Sequence, residues 1–336
     1  MRMTKTNRTK ALAAGWACLG VCVSMLPGGA AGQTFPNHTM TIIVAFGAAG
    51  VTDTLGRTIA KNLSERLKVP VIVENRPGAN QLIGIQQLKA KPADGHTLYV
   101  GTGSSLAQNP GIRKDLPYDP VKDFAPVALL GVQAGVISIS PSMQAANLKE
   151  FIDYARRNPG KLNFGSQGIG SASHLATEVF MARTGTSMMH IPLKSDSDIG
   201  VELSESRIDF SFMTPQLSVP LARAGKQKIL AVTSVSRLAF LPDLPSLREA
   251  GIAALEDLDP FTFYGLVALA GTPPEAIRVL NESVNAILQS PEVSAQMRDT
   301  FRVEPKPASP DGFRKFLQEE LAKWKEIGGR IKIDTR

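Results

Sequence analysis

A chain of 336 residues with 43% hydrophobic content is too long for one ordinary core, so two domains are expected, and its composition excludes a disordered or collagen-like polymer. The formal net charge of +7 overstates the basic balance, because Arg2, Lys5, Arg8 and Lys10 all stand ahead of an apolar stretch, Ala11 to Leu26. Without those four cations 33 basic residues face 30 acidic ones, a near balance that argues against a nucleic-acid surface.

The basic start, the apolar stretch and the small residues from Pro27 to Gly32 have the layout of a secretory leader. Residues 1–32 are therefore expected to be cleaved near Gly32 and the mature protein to be exported. The apolar stretch falls short of the ~20 residues of a membrane-spanning helix, and no later stretch approaches that length. Cys18 and Cys22 both lie in the leader. The mature chain then has no thiol for a disulfide, a metal or a nucleophile. The rival is a lipoprotein anchored through Cys22, on the loose box Leu19-Gly20-Val21-Cys22, which would truncate the apolar stretch.

After a short arm, Thr41–Phe46 reads as a buried parallel strand, rich in isoleucine and valine. A small-residue loop follows, with Thr52 as expected N-cap and Asp53 in the first turn of a helix. Leu55, Ile59, Leu63 and Leu67 give that helix one apolar stripe. A strand over Val69–Val73, a Pro-Gly turn, a helix over Asn80–Lys91 and a strand over Thr97–Gly101 complete a β-α-β-α-β run. Such a run indicates an α/β domain with a parallel sheet. The proline-punctuated Leu116–Pro126 leads to a crossing near residue 130. A second series follows: a helix capped by Asn147, strand Leu162–Ser166, a helix from about Ser171, strand Met188–Pro192, helix Asp198–Glu205, strand Ile208–Phe212, helix Pro215–Ala224 and strand Lys228–Thr233. Phe261–Pro273 reads as a return strand. Three amphipathic helices close the chain from Pro273, Pro291 and Pro310, prolines that suit a first turn. The expected division is 33–130 plus 251–336 for one domain and 131–250 for the other.

Three loops stand where open α/β sheets bind ligands, after strand C-termini: Phe46–Asp53, Gly101–Pro110 and Gly165–His174. Glycine lets a ligand approach the backbone, serine offers a neutral donor, and a helix N-terminus adds partial positive charge. None carries an arginine or lysine before its helix is under way, so an anion is expected to be held by amides, hydroxyls and water. Arg57 is expected to pair with Asp53 one turn away, and Lys194 to be solvated or to lie on the far wall. Asp196 and Asp198 read as a solvated loop. His38, His96, His174 and His190 are scattered without metal-ligand spacing, so no metal and no cofactor are expected. A periplasmic serine hydrolase using Ser171 or Ser173 with His174 is the enzyme alternative. It lacks a G-x-S-x-G elbow and an evident third member, and the chain is read as a non-enzyme.

The motifs Val73–Ala79 (VENRPGA), Asp94–Thr102 (DGHTLYVGT), Leu116–Val127 (LPYDPVKDFAPV), Pro159–Phe180 and Leu241–Gly251 (LPDLPSLREAG) occur together and in order. In this the chain resembles the Bug-type substrate-binding receptors of tripartite tricarboxylate transporters, over essentially its whole mature length. The resemblance implies a two-domain periplasmic-binding-protein fold of the Venus-flytrap kind, each domain a mainly parallel sheet flanked by helices and joined by two crossing strands. It implies a small carboxylate solute between the domains, closure through hinges near 130 and 250–265, and membrane transporter components, or a sensor kinase, as partners of a monomeric receptor. Carried over by motif, the ligand contacts fall on Phe46, Gly47, Ala48, Ala49, Gly50, Thr52 and Asp53. Thr102, Ser104 and Ser105 follow, then Ser166, Gly168, Gly170, Ser171, Ser173 and His174, with Met213 and Thr214 on a further loop. The family's usual Pro-Pro-Gly-Gly is here Gly47-Ala48-Ala49-Gly50, its Thr-His pair is Ser105-Leu106, its Tyr-Lys-Gly is Leu193-Lys194-Ser195, and its strand-end aspartate is Met213. Loss of that acid leans away from amino-acid ligands.

Overall fold

Two β-sheets, each begun by a β-α-β run, organise the chain in a computed structural model that describes residues 35–234, 236–238, 240–256 and 262–330. The expected leader, 1–32, and part of the second expected hinge, 257–261, lie outside the described residues.

Strand β1 (Met40–Val44) is buried on both faces, with Ile42 and Ile43 both fully inaccessible, and helix α1 (Val51–Leu67) returns over it. The predicted stripe is the packing face: Leu55, Ile59 and Leu63 are fully buried against Ile42, Val44 and Val100. Burying three such side chains contributes on the order of 5–9 kcal/mol by area bookkeeping. β2 (Val71–Asn75), α2 (Leu82–Lys89) and β3 (Thr97–Thr102) complete the run, and both β2 and β3 pair parallel with β1. Helices α3 (Asn109–Ile112) and α4 (Pro120–Asp123) lead into β4 (Phe124–Gln133), after which β5 (Val136–Ile139) belongs to the second sheet.

The second series is α5 (Leu148–Arg157), β6 (Leu162–Ser166), α6 (Ala172–Thr184), β7 (Met188–Pro192), α7 (Asp196–Ser204), β8 (Phe210–Met213), α8 (Pro215–Arg223) and β9 (Lys228–Val232). Asn147 caps α5 as expected, its Oδ1 accepting from the Glu150 amide at 2.9 Å. Then β10 (Thr262–Leu269) returns to the first sheet, followed by α9 (Pro274–Gln289), α10 (Pro291–Gln296), β11 (Glu304–Pro305) and α11 (Pro310–Arg330). The prolines opening α10 and α11 stand in the first turn, where the missing amide costs nothing.

The sheets share one plan. The first has the order β11-β4-β10-β3-β1-β2 and the second β7-β6-β8-β5-β9. In each, the strand that arrives from the other sheet, β10 or β5, is inserted antiparallel between the third and fourth strands. The remaining strands of each β-α-β run are parallel, so both sheets are mainly parallel in direction, with β11 as a short antiparallel edge. At the crossings the two chain segments are tied to each other: Gly135 N–H donates to Thr233 Oγ1 at 2.7 Å, and Thr233 N–H donates to the Gly135 carbonyl at 2.9 Å.

Three local expectations change. The N-cap of α1 is Gly50 rather than Thr52, which sits inside the first turn. The helix expected from Asn80 begins at Leu82, because Ala79, Asn80 and Gln81 all take left-handed backbone angles (φ 46°, 47° and 73°). Helix α7 begins two residues early, at Asp196, capped by Ser195.

Candidate functional site

The loop after β1 is shaped by its own aspartate. Asp53 Oδ2 accepts from the Ala49 amide at 2.9 Å and from Arg57 Nε at 3.0 Å, while Oδ1 accepts from Asn75 Nδ2 at 2.8 Å. Burial pushes the carboxyl's pKa up, but the Arg57, Asn75 and Ala49 hydrogen bonds together outweigh it and hold the group below its ordinary value. Asp53 is thus a loop organiser whose oxygens are taken, and its pairing with Arg57 is as expected. Gly47, Ala48, Ala49 and Gly50 remain exposed around the N-terminus of α1, with Phe46 half-buried behind them. The first amides of a helix have no carbonyl before them, so this loop offers donors to an anion.

The loop after β3 differs from a hydroxyl-rich open turn. Ser104–Gln108 form a π-helical turn that runs straight into α3, and Thr102, Ser104 and Ser105 are all buried. Their hydroxyls are engaged internally: Thr102 Oγ1 donates to Gln81 Oε1 at 3.1 Å, Ser105 Oγ accepts from the Thr102 amide at 3.1 Å and from Tyr99 OH at 3.2 Å, and Gln81 Nε2 donates to Ser104 Oγ. Gln81 is the hub of this network, and the left-handed turn at 79–81 puts it there. Sequence reasoning missed it, because Ala79-Asn80-Gln81 carries no glycine to signal positive φ.

The loop after β6 is an N-terminal helix nest. Ser171 caps α6, its Oγ accepting from the His174 amide at 3.3 Å, and Ser171 Oγ and Ser173 Oγ meet at 3.2 Å. Ser173 Oγ also accepts from the Gln167 amide at 3.2 Å. His174 is buried; its Nδ1 accepts from the Gly170 amide at 3.3 Å and its Nε2 lies 3.8 Å from Glu178. Of the serines proposed as nucleophiles, Ser171 therefore caps α6 and Ser173 holds the Gln167 amide, and the imidazole they would need is turned to a backbone amide and a glutamate. Ser166 instead meets His190 Nε2 at 2.6 Å. That serine is fully buried, and burial pushes the His190 pKa down, keeping the ring neutral. Gly168 and Gly170 both hold positive φ in this loop.

The two sheets meet through these loops. Asn109 Nδ2 donates to the Ser104 carbonyl at 2.9 Å on its own side and to the Gly170 carbonyl at 2.8 Å on the other. Leu175 and Val179 of α6 share an apolar cluster with Leu106, Ala107 and Tyr99 of the first sheet's side. At the crossings Gln133, on β4, accepts from Tyr264 OH at 2.8 Å and donates to Gln216 Oε1 in the first turn of α8 at 3.2 Å. Loops after β1, β3, β6 and β8 thus face one region.

Met213 and Thr214 part ways. The Met213 side chain is fully buried in an apolar cluster with Ile199, Leu203 and Val232. Thr214 caps α8, and both its amide (3.3 Å) and its hydroxyl donate to Asp196 Oδ2. Asp196 was read as solvated; it is buried, and only Asp198 is exposed. Lys194 is exposed, as the solvated reading has it. No lysine or arginine appears among the buried residues described.

The histidines are less scattered than expected. His174 and His190 lie with ring centroids 4.4 Å apart. His38 and His96 stack at 3.6 Å, with Asp94 close enough that the three ligand atoms fall within 4.8 Å of one another. His96 Nε2 accepts from the Asn37 amide, which leaves the proton on Nδ1, 3.3 Å from Asp94. A metal-ligating histidine donates through its second nitrogen instead, so this geometry is that of a stacked pair.

Comparison with known proteins follows the same lines. The family description "Tripartite tricarboxylate transporter family receptor" matches residues 55–333. Protein BugT of Bordetella pertussis is 30% identical over 308 residues, covering 89% of this chain and 92% of that protein. Two solved structures are similar in fold and sequence: R. palustris Rpa4515 with adipate, at TM-score 0.81 and 31% identity over 88% of this chain and 98% of that one, and MatC from Rhodopseudomonas palustris with bound malate, at TM-score 0.79 and 27% identity over 88% and 100%.

Proposed function

Because the chain belongs to the tripartite tricarboxylate transporter receptor family, we propose that it captures a small carboxylate-bearing solute between its two sheets and delivers it to the membrane components of such a transporter. The observation that carries this reading is the convergence of the α1, α6 and α8 N-termini on one region with no buried lysine or arginine among the described residues. An anion there is held by backbone amides and hydroxyls, which grip a carboxylate without a guanidinium clamp. The adipate and malate bound by the two similar structures support the same class of ligand. We propose the domain division 33–130 with 251–336 and 131–250 on the support of the two-sheet topology, with the hinge at the Gly135–Thr233 pair. Removal of residues 1–32 would leave a periplasmic, monomeric receptor.

Hydrolysis is not favoured, since Ser171 caps α6, Ser173 Oγ is held by the Gln167 amide and Ser166 is buried. The test is a thermal-shift panel of mono-, di- and tricarboxylates, aromatic acids and amino acids. A ligand at a hundred times its dissociation constant stabilises by about 2.7 kcal/mol, which moves the midpoint of a domain pair this size by about 4 °C. A flat response across the panel would remove the reading's support.

A further inference from the structure

Two carboxylates are buried among the described residues, and they differ. Asp53 has Arg57 at 3.0 Å. Asp196 is 8% exposed, hydrogen bonds from Thr214 and Gln167 oppose the effect of its burial, and no cation among the described residues does so. Its Oδ2 is engaged by the Thr214 amide and hydroxyl, while its Oδ1 is inaccessible and has no hydrogen-bond partner. A buried carboxylate with no counter-charge is costly, and a buried oxygen with no partner adds to the cost. Its position gives that cost a use. Asp196 opens α7 after β7, bonds to the cap of α8 after β8, lies beside Gln167 after β6, and is within electrostatic reach of Tyr264 on the crossing strand β10. It therefore stands at the C-terminal edge of the second sheet, among the loops proposed to hold the ligand.

We propose that Asp196 enters the complex as a neutral carboxylic acid and, once opening at the hinge exposes its carboxyl group, donates its proton to a carboxylate of the bound solute. The inference rests on the carboxylate-receptor reading and deepens it. Two carboxyl groups brought together in a dry site cannot both stay ionised, so they share one proton. The acid then does what a buried arginine would do elsewhere, supplying a strong donor without adding a charge. Burial already pushes the Asp196 pKa above its ordinary value, against the opposing Thr214 and Gln167 hydrogen bonds. The other titratable groups on the surrounding elements are Asp198 and Glu202 on α7, His174, Glu178 and Arg183 on α6, His190 on β7, Tyr264 on β10 and Arg223 in the last turn of α8.

The sign follows from linkage. The complex holds a proton on Asp196; above its pKa the free protein does not. Binding then takes up one proton, and affinity falls up to tenfold for each pH unit above that pKa. The test measures the dissociation constants of malate and adipate from about pH 6.5 to 9, where both ligand carboxylates stay ionised. It uses wild type, Asp196→Asn and Asp196→Ala, each checked for an unchanged thermal midpoint without ligand. Expected is a wild-type affinity that weakens with rising pH, by up to tenfold for each pH unit above the Asp196 pKa. Asp196→Asn, whose amide is a permanent donor, should bind with little pH dependence. Asp196→Ala should bind at least tenfold more weakly than Asp196→Asn at every pH. An affinity that rises with pH would mean that Asp196 accepts from a ligand cation, and would overturn the proposal. So would equal, pH-independent binding by all three proteins, which would leave Asp196 a structural link to Thr214 and the carboxylate reading intact. Failure of wild type to bind either acid at any pH would overturn this inference, and the thermal-shift panel then decides the broader reading separately.

Discussion

Ala49 carries a cost that the loop around it makes worthwhile. Its φ of 66° is a left-handed angle that disfavours a side chain, and it is held there by its amide's bond to Asp53. Ala49→Gly relieves the clash, and the protein is expected to gain about 0.5–1 kcal/mol in urea unfolding; a loss would show that the φ is not native. Asp53 is testable by pH. Its folded pKa lies below the unfolded value near 3.8, so its contribution is present in full above about pH 4 and is lost as pH falls through the lowered value. Asp53→Asn should cost about 1–3 kcal/mol at pH 7, and its deficit against wild type should shrink at about pH 3. A deficit constant with pH would mean that the charge contributes nothing. The sequence shows Asp53 with Arg57 because they are one helical turn apart. It does not show Asp196 as buried, because that depends on Thr214, eighteen residues away.

The elements around the cleft are coupled through the start of α3 and the loop ahead of α6. Asn109 bonds across to Gly170, and Gly170 has no room for a side chain: a Cβ there would lie 2.5 Å from Asn80 Nδ2 and 2.7 Å from Asn109 Oδ1, at φ 76°. Gly170→Ala is expected to wedge this contact open and strain the loop, lowering affinity for any carboxylate the protein binds by at least about tenfold, equivalent to 1.4 kcal/mol. Asn109→Ala should lower it less, since it removes one bond without adding bulk. If calorimetry gives Gly170→Ala an unchanged affinity, this contact does not belong to the ligand-bound state. Most elements were legible here, because strands buried on both faces and helices opened by proline or serine carry local signals. Asn147, Ser171, Pro291 and Pro310 stand where capping chemistry puts them. The π-helical turn at 104–108 and the left-handed turn at 79–81 carry none. Gln81 and Asn109 therefore have no local signal, and the hydroxyls of 102–105, expected to be open to a ligand, hold that turn together.

At the scale of the molecule, the two sheets repeat one strand order, with the arriving strand inserted antiparallel in each. That plan brings four strand-end loops face to face and leaves two paired segments, at Gly135 and Thr233, to flex between them. Alternating β and α patterns made both halves readable; the inserted strands did not announce their direction, which depends on a partner far away in the chain. A receptor built on this plan holds a carboxylate between its sheets, as proposed above. Isothermal titration of the purified protein with a panel of small carboxylates, each beside its primary carboxamide, tests it most directly. Expected is one-to-one binding of at least one carboxylate with a dissociation constant on the order of 1 μM or tighter, and a loss of at least about a hundredfold for its amide, the cost of removing the charge that the helix N-termini and their amides receive. A carboxamide bound as tightly as its acid, or a folded protein that binds no carboxylate of the panel, would contradict it.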